Sequence, residues 1–109
     1  MNATEGPKQR FSVTDAGHGY KLFNAGEDTQ PLQFIKKEFD TEGKLVTAIE
    51  GTTCEAVLEV LINRMQFLND KLADAHNLDV IEHLAAALQL LEARTQNRVA
   101  RGVEGTAAA

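Results

Sequence analysis

Arg94, Thr95, Arg98 and Arg101 gather more chemistry in one place than any other stretch of this sequence. Steps of four and three residues line the three arginines along one side of a helix. Each guanidinium carries a planar fork of donors that matches a phosphate or carboxylate bidentately. The chemistry offered is anion binding rather than bond making. A second reading of the same residues stays open: cations near a helix C-terminus complement its macrodipole and need no ligand.

No catalytic constellation is expected. His18, His76 and His83 are dispersed, without metal-ligand spacing. Ser12 is the single serine and has no nucleophile-elbow pattern around it. The acidic residues are spread out, so no carboxylate pair suited to acid–base work can be singled out. Gly17-His18-Gly19 lacks the third glycine and the strand-to-helix context of a dinucleotide fingerprint. The expectation is a non-enzyme with no metal and no cofactor.

The arginines must be positioned by the stretch from Thr52 to Val103, which reads as two amphipathic helices. In the first, Cys54, Leu58, Leu61, Met65, Leu68 and Leu72 recur at heptad spacing. Thr52 and Glu55 read as a capping box, and the helix is expected over about 53–75, roughly 34 Å long. Ala75-His76-Asn77 is the expected break, with Asn77 or Asp79 capping the second helix. Leu78, Ile81, Leu84, Leu88 and Leu91 form the second stripe, which turns polar at Thr95 and Arg98. Either the helix runs past its partner into water there, or the hairpin ends in a polar site. In an antiparallel hairpin Arg94, Arg98 and Arg101 would approach the free N–H groups near Thr52 and Thr53, and helix N-termini favour anions.

The N-terminal half reads as small antiparallel β-structure. Residues 1–10 form a polar tail. Phe11–Thr14 and Tyr20–Phe23 are expected strands, separated by a glycine turn. Asn24–Pro31 is expected to be an irregular polar loop. Leu32–Phe39 and Lys44–Glu50 flank Asp40-Thr41-Glu42-Gly43 and read as a β-hairpin. The fold class is therefore α+β: a β region over 11–50, a long antiparallel α-helical hairpin over 52–103, and a tail over 104–109. With 109 residues the chain is expected to form one domain.

A net charge of −5 argues against binding DNA or RNA polymers. No apolar run is long enough to span a membrane, and no hydrophobic signal segment opens the sequence. Cys54, the lone cysteine, sits on the apolar seam and reads as a small buried hydrophobe in a reducing cytoplasm. Val57, Val60, Phe67, Val80 and Ala87 lie partly off the intramolecular seam. Stripes this wide on so small a chain predict a homo-oligomer, a dimer or a multiple of dimers. His83 is expected at a surface or interface. Tyr20 and Phe34 read as core, or as faces on which a base could stack.

From Leu84 to Thr106, an alanine- and leucine-rich helix closes on Arg94-Thr95-Gln-Asn-Arg98-Val-Ala-Arg101-Gly102-Val103-Glu104-Gly105-Thr106. That ending, with the stretch from Ile49 to Leu58, resembles small phage-encoded proteins over about residues 49–106. These are similar to the helical-hairpin domain of phage anti-CBASS and anti-Thoeris signal-sequestering proteins. Such proteins are oligomeric sponges that bind cyclic oligonucleotides or cyclic ADP-ribose isomers without cleaving them. The resemblance implies a phage anti-defence role in the host cytoplasm, with ligand pockets at subunit interfaces. It implies Arg94, Thr95, Arg98, Arg101 and Thr106 as ligand-binding residues, with arginines on phosphates and Thr95 in a hydrogen bond. Gly102 and Gly105 would let the chain turn closely around a ligand or neighbouring subunit.

Overall fold

A computed structural model describes residues 9–100. Five antiparallel strands in two sheets precede two helices packed against each other, an α+β fold. Arg101 and Thr106 lie outside the described residues. The chain forms two compact units.

The first unit holds residues 9–38 and 47–52. Strands β1 (Phe11–Asp15), β2 (Gly19–Phe23) and β3 (Thr29–Gln33) form an antiparallel meander in that order. Phe11 pairs with Leu22, Val13 with Tyr20, and Tyr20 with Leu32, so these apolar side chains share one face. Tyr20 makes edge-on ring contacts with Phe11 and with Phe34, each at 5.9 Å. Neither Tyr20 nor Phe34 is fully buried, so the expected aromatic core is a half-exposed cluster.

The expected loop over Asn24–Pro31 is corrected in its second half. β3 begins at Thr29 and includes Pro31. Proline is tolerated because β3 is a sheet edge and Pro31's missing N–H lies on the side away from β2. The extended arm expected over Leu32–Phe39 is also broken. Phe34 N–H still donates to the His18 carbonyl at 2.8 Å, but on its other side Phe34 bridges Thr52 in parallel, and Ile35 N–H donates to the Thr52 carbonyl at 3.0 Å. Gly51 makes this approach possible: a Cβ there would lie 2.5 Å from the Gln33 carbonyl oxygen. Gly51→Ala is expected to cost about 1–3 kcal/mol through overpacking against backbone. Faster hydrogen exchange at the Thr52 and Ile35 amides, with a lower melting temperature, is the measurement that checks it.

Strands β4 (Lys36–Phe39) and β5 (Leu45–Ile49) form the expected hairpin. Asp40 organises its turn: the carboxylate accepts from the Glu42 and Lys44 N–H groups at 2.8 and 2.9 Å. Gly43 sits at φ +80°, which a side chain would disfavour. Lys36 pairs with Asp15 at 3.0 Å. That hydrogen bond, then the Asp15 charge, holds the Lys36 ammonium above its ordinary pKa.

The second unit holds residues 39–46 and 53 onward, with α1 (Cys54–Lys71) and α2 (Ala75–Ala100). Thr53, not Thr52, caps α1: its Oγ1 accepts the Ala56 N–H at 3.1 Å. Thr52 is engaged by Phe34 and Ile35 instead, so the expected capping box does not form. The break falls at 72–74, earlier than expected, because Asp74 outcompetes Asn77 and Asp79 as the cap. Its Oδ1 accepts the His76 N–H at 2.8 Å, and Asn69 Oδ1 accepts the Asp74 N–H at 2.9 Å. Asp74→Ala is expected to remove about 1 kcal/mol of stability, read as a melting temperature lower by roughly 4–8 °C.

The α1 stripe is rotated from its expected setting. Glu55, Leu58, Ile62, Met65 and Leu68 are half-buried, whereas Leu61 and Leu72 are 42% and 79% exposed. Cys54 is exposed, correcting the expectation of a buried thiol. It is the first helical residue, and the seam passes through Glu55 beside it. On α2, Ile81, Leu84, Leu88 and Leu91 are half-buried as the stripe predicts, but Leu78 is exposed. Among the described residues no apolar side chain is fully buried. A two-helix unit gives each helix one neighbour, so the outer faces, with Val60, Phe67 and Leu90, stay open to water.

Candidate functional site

The end of the helical hairpin is built by register. A short break makes the helices antiparallel, and α2 is longer, 26 residues against 18. The last turns of α2 therefore run alongside and then beyond the first turn of α1. Glu55 of α1 and Glu92, Thr95 and Gln96 of α2 line one shallow cleft of about 270 Å³ there.

Thr95 and Arg98, one turn apart, occupy the half-buried face of α2. Arg94 is exposed beside them. Of the sequence-derived site residues, Thr95 thus lines the cleft, Arg98 shares its helix face and Arg94 lies outside that face. The first turn of α1 adds its N-terminal N–H groups, of which Ala56 N–H is already taken by Thr53. Mixed donors and acceptors suit a ligand with both anionic and hydroxyl or amino groups. Arginine matches phosphate, and the two carboxylates accept from hydroxyl or N–H donors.

Glu55, Glu92 and Gln96 do not stand out in the sequence as site residues. Their signal lies in the register. Asp74 is the residue about which the helices fold back, and counting outward from the 72–74 break sets Glu92 opposite the start of α1.

A second cleft, of about 350 Å³, lies on the first turns of α2, lined by His76, Asp79, Val80, His83 and Leu84. Its histidines are engaged locally. His76 Nδ1 lies 3.0 Å from Asp74 Oδ1, and His83 Nδ1 lies 2.7 Å from the Asp79 carbonyl oxygen. His83 is exposed, as expected of a surface or interface residue. Among the described residues no group of three or more potential ligands could hold a metal ion. No described helix is long and apolar enough to cross a membrane.

No protein-family model and no curated protein matches this chain.

Proposed function

We propose that this chain is a ligand-sequestering protein that binds and holds a cyclic nucleotide signal, a cyclic oligonucleotide or a cyclic ADP-ribose isomer, as a homo-oligomer without cleaving it. The observation that carries this reading is the end of the hairpin, where Thr95 lines a cleft with Glu55 of α1 and Arg98, one turn on, is half-buried on the same face of α2. Arg94, Arg98 and Arg101 supply phosphate donors, and Thr95 a hydrogen bond. Glu55 and Glu92 accept from ribose hydroxyls or base N–H groups. Thr106 belongs to the same proposed set through the closing motif. The resemblance of residues 49–106 to phage anti-CBASS and anti-Thoeris sponges supports this reading, and with it an anti-defence role in the host cytoplasm. An open cleft within one protomer encloses little of a nucleotide, which favours pockets completed by a second copy.

The test is thermal unfolding against cyclic dinucleotides, cyclic trinucleotides and cyclic ADP-ribose isomers. A ligand at 100 times its Kd stabilises the folded state by about 2.7 kcal/mol. For a chain of this size that is expected to raise the midpoint by roughly 10 °C or more. The bound compound should be recovered intact. A flat response across the panel overturns the sponge reading.

A second reading has its own observation. Val60, Phe67 and Leu90 are 66%, 55% and 72% exposed on the outer sides of the hairpin. Exposed apolar faces of this kind mark protein interaction surfaces. They support a non-enzymatic oligomeric hairpin module that docks a phage or host protein. A protein partner held without any nucleotide response is the outcome that selects it.

A further inference from the structure

The two edges of the three-stranded sheet are treated differently. On β3 the outer edge is blunted: Pro31 has no N–H to offer, and the Gln33 carbonyl accepts the Thr52 N–H at 2.8 Å. On β1 the outer edge faces no strand among the described residues. Antiparallel ladders alternate, and the Arg10 carbonyl accepts the Phe23 N–H on the β2 side. The N–H and C=O groups of Phe11 and Val13 therefore point away from β2. Gln9 corroborates this: its Nε2 donates to the Phe11 carbonyl at 2.6 Å, standing in for a neighbouring strand.

Phe11-Ser12-Val13 carries none of the usual protection of an edge: no proline, no lysine and no inward charge. The ladder irregularity lies between Val13 and Asp15, beyond these three residues. Phe11 and Val13 are 47% and 54% exposed, on the same face as Tyr20 and Leu22.

We propose that β1 pairs antiparallel with β1 of a second copy, joining two three-stranded sheets into one of six strands. Charge complementarity selects this occupant. Arg10 precedes the strand and Asp15 ends it, and Asp15, Lys36 and Glu38 together carry one net negative charge. Antiparallel self-pairing brings each Arg10 beside the other copy's acidic end, whereas parallel pairing sets like beside like. With the two-fold axis at Ser12, Phe11 and Val13 of one copy exchange hydrogen bonds with Val13 and Phe11 of the other. The two apolar faces then merge into one. Gln9 gives up its bond to the Phe11 carbonyl, and the second copy's Val13 N–H replaces it. The pairing rests on the homo-oligomer of the proposed function and supplies one of its interfaces.

The test is amide hydrogen exchange on the full-length protein, together with its mass in solution. The Ser12 amide faces β2 and is the internal standard for an intact sheet. Pairing is expected to slow Phe11 and Val13 exchange at least about 100-fold relative to a free edge. Val13→Pro removes an N–H that points away from β2 and leaves the β1–β2 hydrogen bonds of Ser12 in place, so it should abolish the pairing and lower the mass while Ser12 stays protected. Ser12→Cys in a Cys54→Ala background should form a disulfide between copies across the two-fold, where facing Cα atoms lie about 4.5 Å apart. Thr14→Cys in the same background should not. Fast exchange at Phe11 and Val13 in a protein of unchanged high mass overturns edge pairing while leaving a homo-oligomer built elsewhere. A monomer overturns both.

Discussion

Replacing Val60 and Phe67 together by glutamate is expected to reduce the solution mass of the proposed homo-oligomer at least twofold without loss of helix. Both side chains lie on the outer side of α1 and are largely exposed within one protomer, at 66% and 55%. Their replacement therefore removes little intramolecular packing. In an oligomer they would be buried, and two carboxylates per protomer would be desolvated without partners. Interface energy concentrates in a few large apolar residues, and aromatic ones prominently, so Phe67 should carry most of the effect. Lys71 lies over its ring, 5.3 Å from the centroid, and would lose that contact. Light scattering and circular dichroism on the same sample check the expectation. An unchanged mass would remove the outer face of α1 from the assembly.

Arg98→Glu is expected to weaken binding of the proposed cyclic nucleotide ligand at least about 100-fold. Losing a charge-assisted hydrogen bond costs about 1.5–3 kcal/mol, and the new carboxylate adds repulsion against phosphate. Arg98 is half-buried, so reversing its charge also disturbs the local fold of α2. Arg94 is exposed on the same turn and separates the two effects. Arg94→Glu should weaken binding by roughly tenfold with no change in melting temperature. Arg98→Lys should retain part of the affinity, because the charge survives and the bidentate fork does not. Calorimetric titration of each variant, with its unliganded melting curve, checks the series. Full affinity in Arg98→Glu would exclude the end of the hairpin as the phosphate site.

Much of the fold is readable along the chain because it depends on short-range physics. Apolar spacing sets the helices, glycine and aspartate set the turn at Asp40–Gly43, and alternating apolar residues set β1 and β2. Sequence and structure part where local rules compete. Thr52 and Thr53 are equally good caps by type, and Thr53 serves because Thr52 is held by the β region. Asp74, Asn77 and Asp79 compete in the same way, and the Asn69 side chain tips the choice to Asp74. Moving the break to 72–74 also reassigns which residues face each other at the far end of the hairpin. That is why Glu55 and Glu92 join Thr95 in the cleft without a motif to mark them.

The order and class of the elements and the polar turn of the second stripe at Thr95 and Arg98 come from residue types and spacing alone. Those quantities are fixed within about one or two turns of chain. The candidacy of Thr95 and Arg98 as ligand-binding residues comes with the resemblance of the closing motif. Tertiary structure decided the rotation of the α1 seam onto Ile62 instead of Leu61, the exposure of Cys54, and the place of Pro31 in an edge strand. It also decided which backbone groups of β1 look outward. Each of these depends on a partner elsewhere in the sequence: α2 for the seam, β2 for the strand that holds Pro31, and the pairing of Arg10 with Phe23 for β1. A period read along one segment states that a face exists, and only the neighbour settles which way it points.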